Sequence, residues 1–461
     1  MIYRPYDYQR TAGQWILDNP CCGLFLDMGL GKSVITLTAI QRLIDTCEID
    51  TALVVAPKKV AETTWTSEAE KWDHLHGLIV SKVLGTEQQR KAALAKKADV
   101  YVIGRDNYVW LVGQYGGRLP FDALVIDELT SFKNPKSQRF KAMRISRPSF
   151  SRVIGLTGTP APNGLIDLWG EMYCIDMGAR LGKSLTRYRD TYFDLYRWNN
   201  MIVRCDLKKG CGAIIRDKIA DICLSMQAKD YLQLPDLMIH TVRVELSPAT
   251  RQAYTTFERE KVLEFAEQHA DEPSSLLVNS AAGLLNKLSQ FANGAIYDDD
   301  HNVHEVHSAK LDKLAEIVEA ANGASVLVFY QYKHDIPRIT AKLKSYRVAV
   351  YESEQQLHAW NAGQIDVLLA HPASTAYGLN MQAGGHYIVW FGTGWDLELF
   401  QQANARLHRQ GQQHPVTVYK LIGAHTVDER ASAALESKKD RQKSLLDSLN
   451  YLIHKHTDGK G

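Results

Sequence analysis

Residues 22–33 read Cys-Gly-Leu-Phe-Leu-Asp-Met-Gly-Leu-Gly-Lys-Ser. Cys22–Leu26 is an apolar run short enough for one buried strand. Gly29 and Gly31 follow, with Leu30 between them, and Lys32 and Ser33 open the helix-like Val34-Ile-Thr-Leu-Thr38. Strand, glycine loop and helix in that order form the context of a phosphate-binding loop. Glycines let backbone wrap phosphate oxygens, and a helix N-terminus offers free N–H groups and a positive dipole. A lysine there reaches β- and γ-phosphates, and a serine hydroxyl ligates Mg²⁺. The generic loop has a further glycine where this chain has Leu26, so the shorter Gly-x-Gly-Lys-Ser form is present.

Working outward, Ala123-Leu-Val-Ile-Asp-Glu128 is an apolar strand ending in paired acids. By itself such a strand end is commonly solvated. Some 95 residues after a phosphate loop, Asp127 is a candidate for holding Mg²⁺ and Glu128 for polarising the attacking water. Gly155-Leu-Thr157-Gly158-Thr159-Pro160 follows a third strand and offers small hydroxyl residues that could couple nucleotide state to lobe position. Far downstream, Gln401-Gln-Ala-Asn-Ala-Arg-Leu-His-Arg-Gln-Gly-Gln412 places Arg406 and Arg409 three apart, the spacing of one helix face. Two guanidiniums so placed suit a γ-phosphate clamp.

These signals sit in a regular rhythm. Apolar runs at Cys22–Asp27, Ala52–Ala56, Val100–Ile103, Ala123–Asp127 and Val153–Leu156 alternate with helix-like stretches. The rhythm stops after Pro160 and restarts at Ser325–Tyr330, Arg347–Tyr351, Asp366–Ala370, His386–Phe391 and Val416–Ile422. Continuous apolar strands alternating with helices predict parallel sheets covered on both faces. With 461 residues, two such lobes are expected: 1–237, with a helical insert about 161–235, and 238–461, with a helical protrusion about 248–295 and a C-terminal helix about 427–449. The last dozen residues are expected to fray.

Composition is that of a globular chain, 45% hydrophobic and 23% charged, and 54 Lys+Arg against 52 Asp+Glu exclude a polycation or an acidic disordered chain. No apolar run approaches the ~20 residues of a membrane span. The N-terminal MIYRPYDYQRTAGQW lacks the apolar core of a signal peptide. Seven cysteines without framework spacing fit a reducing cytoplasm.

Taken in order, the motifs resemble the Snf-type branch of helicase superfamily two, DNA-dependent ATPases that include chromatin remodellers and their bacterial and phage relatives. Tyr8-Gln9 is similar to the adenine-reading segment. Asp27–Ser33 is similar to motif I, Val54-Val-Ala-Pro57 to Ia, and Asp127-Glu128 with Lys133-Asn134 to motif II. Gly155–Pro160 resembles motif III, Val326–Tyr330 motif IV, Ser374-Thr375-Ala-Tyr-Gly378-Leu-Asn-Met-Gln382 motif V, and Gln402–Gln412 motif VI. The resemblance implies two RecA-like lobes of the P-loop NTPase class with helical insertions, binding ATP and Mg²⁺ at their interface. It implies nucleotide contacts from Tyr8, Gln9, Gly29, Leu30, Gly31, Lys32, Ser33 and Gly378, metal contacts from Ser33 and Asp127, and catalysis by Lys32, Asp127, Glu128, Gln402, Arg406 and Arg409. Thr157, Gly158 and Thr159 would couple. One departure stands out: motif II continues Leu129-Thr130 where the family has Ala-His. The chain would be a monomeric bacterial or phage motor on duplex DNA, without a membrane, brought there by a recruiting protein. A nucleotide-gated DNA clamp and an RNA-directed ATPase are the alternatives.

Between Leu129 and Ile166 there is no Asp or Glu, while Lys133, Lys136, Arg139, Lys141, Arg144, Arg147 and Arg152 fall there. Such a patch grips phosphates without reading bases. The patch makes Lys133, Asn134, Lys136, Arg139 and Arg144 candidate nucleic-acid contacts, and by resemblance Lys58, Ser374 and Thr375 touch the nucleic-acid backbone. Arg180, Lys183, Arg187 and Arg189 extend the patch into the insert, whose Tyr188, Tyr192 and Tyr196 read mainly as core. His301, His304 and His307 lack the Cys or carboxylate partners of a metal site, and Cys205 and Cys211 lack Cys-x-x-Cys spacing.

Overall fold

The computed structural model describes residues 1–158, 160–161, 164–198, 201–231, 234–268, 274–375, 379–436 and 441–457. The chain divides into two compact units, Met1–Gln233 and Leu234–Gly461.

In the first unit, β1 (Cys21–Leu26), β2 (Ala52–Ala56), β3 (Val80–Val83), β4 (Val100–Gly104), β5 (Ala123–Asp127) and β6 (Arg152–Thr157) alternate with helices. After the hairpin of β7 (Phe193–Trp198) and β8 (Met201–Leu207), β9 (Cys223–Met226) completes a seven-stranded sheet in the order β3-β4-β2-β5-β6-β1-β9. Its strands pair in parallel. β1 therefore lies beside β6, which lies beside β5. The loops after these three strands, carrying Asp27–Ser33, Gly158 and Glu128, open at the carboxyl ends of the strands, where parallel sheets usually bind ligands.

The second unit holds β10 (Leu237–Val244), the small antiparallel pair β11 (Ala295–Tyr297) and β12 (Val303–Glu305), then β13 (Val326–Phe329), β14 (Val348–Val350), β15 (Val367–Ala370), β16 (Tyr387–Trp390) and β17 (Val416–Gly423). Six of them form a parallel sheet in the order β10-β17-β16-β13-β15-β14. β13 shows why such strands are apolar throughout. Leu327 and Phe329 enter one core, and Val326 and Val328 enter the core on the opposite face. A buried Lys310–Asp428 ion pair at 2.6 Å ties the helix Ala309–Ala320 to Val427–Glu436.

Two expectations are corrected. The segment 161–235 is not a purely helical insert, since it contains the β7–β8 hairpin and the sheet strand β9. β7 alternates buried Phe193, exposed Asp194, half-buried Leu195 and exposed Tyr196, a period-two pattern of a strand where a helix was expected. Cys223-Leu-Ser-Met226 is too short to show a period, and pairing with β1 decides it. The C-terminal segment is two helices, Val427–Glu436 and Arg441–Thr457. The second extends well past residue 449, because Leu445, Leu449 and Leu452 pack with Val262, Phe265, Leu284, Leu285 and Leu288 of helices Pro248–Gln268 and Ser274–Asn293. Among the described residues no helix is long and apolar enough to cross a membrane.

Candidate functional site

The loop after β1 turns through two left-handed glycines, Gly29 (φ 84°) and Gly31 (φ 80°). Gly31 caps the helix Lys32–Asp45. A Cβ at Gly31 would lie 2.7 Å from Nε2 of Gln9, so both the backbone angle and the close approach require glycine. Leu30 is buried and anchors the loop from below. Lys32 and Ser33 are the first two helical residues. Nζ of Lys32 donates to the carbonyls of Leu26 (2.7 Å) and Asp27 (3.3 Å).

Gln9 is brought onto this loop from the first helix, Asp7–Asp18. Its Nε2 donates to the Leu30 carbonyl at 3.4 Å and its Oε1 accepts from Tyr6 N–H at 3.0 Å. Tyr8 stacks on Tyr6 and packs on Tyr231. Burial and the neighbouring Tyr6 push its phenol up to about 12. Among the described residues the buried Tyr8 hydroxyl has no hydrogen-bond partner. A buried orphan polar atom is what a bound base would satisfy.

Asp127 ends β5. Burial raises its carboxyl above the usual range; the Trp65 indole, the Lys32 charge and the Glu128 backbone oppose that rise. Trp65 donates Nε1–H to Asp127 Oδ2 at 3.0 Å. Glu128 takes left-handed backbone (φ 57°, ψ 66°) and leads into the short 3-10 turn Leu129–Phe132. For a non-glycine residue this conformation costs on the order of 1 kcal/mol, a strain typical of functional positions. Leu129 and Thr130, which replace the family's Ala-His, are buried, and a Cβ at Gly155 would lie 2.8 Å from Leu129 Cδ2. Apolar packing therefore joins the β5 and β6 ends. Thr157 is buried at the end of β6, and a Cβ at Gly158 would come to 3.6 Å from Lys32 Nζ. Thr159 and Gly378 lie outside the described residues.

In the second unit the helix Leu397–Asn404 carries Gln402, which is buried and donates to Glu398 at 3.0 Å. That helix ends before Arg406 and Arg409, so the two arginines do not share a helix face as expected. They lie in the following turns, where Gly411 (φ 94°) adopts left-handed backbone. They nevertheless converge: Arg406 Nη1 (3.4 Å) and Arg409 Nη1 (3.0 Å) both donate to the Leu379 carbonyl.

The basic stretch is only partly a surface. Arg147 is buried and donates to the carbonyls of Cys174, Phe150 and Ile175. Arg152 bonds Ile16, Leu17 and Glu48. Lys133 pairs with Asp167 at 3.1 Å, and Arg139 with Asp106 at 2.8 Å. Lys136, Lys141 and Arg144 are exposed, the last two three apart on the helix Gln138–Ser146. Asn134 Oδ1 accepts from Lys136 N–H and shapes the turn before that helix. Lys58 is exposed, 3.9 Å from Glu62. Arg180 is held by Asp176 and Asp221. Thr375 is a correction: it is buried in the one-turn helix Pro372–Thr375, its hydroxyl bonded to the Pro372 carbonyl, while half-buried Ser374 bonds His371. Of the insert tyrosines, Tyr188 is core and Tyr196 is exposed.

A glycine loop with its lysine folded beneath β1, beside an acid-tipped β5 in one parallel sheet, defines a nucleoside-triphosphate hydrolase of the phosphate-loop class. The family profile for the SNF2-related domain matches residues 8–294. Protein p41 of Acyrthosiphon pisum secondary endosymbiont phage 1 is 34% identical over 97% of this chain and 99% of its own. An uncharacterized ATP-dependent helicase of Mycoplasma genitalium is 25% identical over 96% of this chain; the chain spans 42% of that relative's length. The Sulfolobus solfataricus SWI2/SNF2 ATPase core, solved in complex with dsDNA, is 20% identical with a TM-score of 0.45, covering 99% of this chain and 98% of that one. The chain belongs to the SNF2-related family and is an ATPase.

Proposed function

We propose that this chain couples ATP hydrolysis to movement along duplex DNA. The observation that carries the proposal is the meeting, at the carboxyl ends of the strands of one parallel sheet, of the glycine loop, contacted by Gln9 and followed by Lys32, and of β5 tipped by Asp127. The orphaned Tyr8 hydroxyl suits a base beside Gln9. Lys32 exchanges its contacts with the Leu26 and Asp27 carbonyls for β- and γ-phosphate oxygens. Glu128 orients and deprotonates the attacking water. Arg406 and Arg409 stabilise charge on the transferred phosphoryl group. A serine hydroxyl and a carboxylate form a hard-oxygen donor set that suits Mg²⁺, with Ser33 and Asp127 as its ligands. Mg²⁺, when bound, neutralises charge on the β- and γ-oxygens.

Exposed Lys136, Lys141 and Arg144 supply sequence-independent phosphate contacts, and family membership favours DNA over RNA. The test is steady-state ATP hydrolysis with no nucleic acid, single-stranded DNA, duplex DNA and RNA at two salt concentrations, with triplex displacement in parallel. Duplex-stimulated hydrolysis that strips the third strand supports a translocase. Stimulation without stripping makes the chain a nucleotide-gated clamp, the outcome to which buried Leu129-Thr130 in motif II would contribute. Preferential stimulation by RNA overturns the DNA assignment.

A further inference from the structure

Trp65 lies in the short helix Thr64–Lys71 and is 0% exposed. That helix comes after β2 and the short helix Lys58–Glu62, and β2 is the parallel neighbour of β5, so the connection after β2 sets the indole against the end of β5, where Asp127 stands 62 residues downstream. The indole Nε1–H donates to Asp127 Oδ2 at 3.0 Å. An indole nitrogen only donates, so it cannot reverse roles as a hydroxyl or amide can. Burial also keeps water from substituting for it. One carboxylate oxygen is thereby held in a fixed place by a rigid, fully packed side chain.

We infer that Trp65 is a positioning residue for the divalent cation of the ATP site, holding Asp127 Oδ2 so that the other carboxylate oxygen meets the metal. The inference rests on the ATP-site assignment made above. Hydrogen-bond partners of metal-ligating carboxylates typically contribute ten- to a hundredfold to metal affinity. Trp65 is thus distinct from Lys32 and Glu128, which act on phosphate and water.

The test uses Mn²⁺ as the probe, its binding to the full chain with a non-hydrolysable ATP analogue being followed by electron paramagnetic resonance. Trp65→Phe keeps an aromatic ring and removes the N–H. It is expected to weaken Mn²⁺ binding on the order of tenfold, while metal-free nucleotide affinity is unchanged. Asp127→Asn is measured alongside. Loss of Mn²⁺ affinity in Asp127→Asn with none in folded Trp65→Phe overturns the inference and leaves the ATP site standing. Unchanged affinity in Asp127→Asn sinks the site assignment itself, and the inference with it. A second measurement does not depend on the folding of Trp65→Phe. In the wild-type chain with ¹⁵N-labelled indoles, the Trp65 N–H resonance should shift when Mg²⁺ joins the nucleotide-bound protein. A resonance indifferent to Mg²⁺ overturns the proposal.

Discussion

His408 donates its Nε2–H to the carbonyl of Pro235 at 2.8 Å. His408 stands between Arg406 and Arg409, and Pro235 lies just before β10, at the start of the second unit. The turn that carries both arginines is therefore pinned on two sides, by Pro235 and by the Leu379 carbonyl. Gln412 adds a third anchor through the carbonyls of Gln382 and Gly385.

Removing the His408 anchor should loosen the arginines without unfolding the unit. His408→Ala is expected to lower stability by about 1 kcal/mol, the net worth of one hydrogen bond. ATP turnover should fall roughly tenfold with KM for nucleotide unchanged, as for an interaction made only in the transition state. Urea unfolding and steady-state kinetics check both. His408→Gln, which retains a donor, should recover part of the turnover.

Lys32→Ala and Glu128→Gln should separate binding from chemistry. Both are expected to lose at least about a hundredfold in hydrolysis. Glu128→Gln should still bind nucleotide, whereas Lys32→Ala should not. Phosphate release and fluorescent-nucleotide titration distinguish them, and normal hydrolysis by both variants would refute the site.

Arg406→Ala and Arg409→Ala should each reduce hydrolysis by about a thousandfold if they act as arginine fingers, with nucleotide affinity retained. A change in affinity alone would make them binding residues.

The basic stretch should split by burial. The triple replacement Lys136→Glu, Lys141→Glu and Arg144→Glu is expected to abolish DNA stimulation and flatten its salt dependence, leaving thermal stability unchanged. Arg147→Ala should do the reverse, destabilising the first unit by about 3 kcal/mol because three buried carbonyls lose their donor. Filter binding against salt and thermal melts measure the contrast.

His307 predicts an acid limb of stability. Burial lowers its imidazole to about 4, below an ordinary 6.5; the hydrogen bond to Phe291 opposes the fall, and the charges of Lys310 and Arg338 add to it. Its Nε2–H donates to the Phe291 carbonyl while Nδ1 accepts from Ala309 N–H, the pattern of a neutral ring. Between pH 6.5 and about 4 the unfolded chain takes up a proton that the folded chain refuses. The contribution is therefore complete above pH 6.5 and lost as pH falls through that window, by about 3 kcal/mol in all. His307→Gln should flatten the limb in pH-dependent urea unfolding.

The parallel sheets and the phosphate loop were legible in the sequence because their signals are local. A strand buried on both faces must be apolar throughout, as Val326–Phe329 is, and a loop that wraps phosphate needs glycine at Gly29 and Gly31. Paired acids at the end of such a strand are equally visible at Asp127-Glu128. What depends on distant partners was not legible. Whether Cys223–Met226 is a strand is decided by the neighbouring β1, and the length of the last helix by an apolar face waiting for Leu452. Arg144 and Arg147 look alike as residues of one basic run; only packing turns one to solvent and buries the other under three carbonyls. Trp65 and Asp127 are 62 residues apart, and nothing local in Thr-Thr-Trp-Thr-Ser marks an indole as a carboxylate's partner. Sequence fixes backbone conformation and polarity over a few residues, while hydrogen-bond partners are assigned by sheet order, which exists only once the chain has closed on itself.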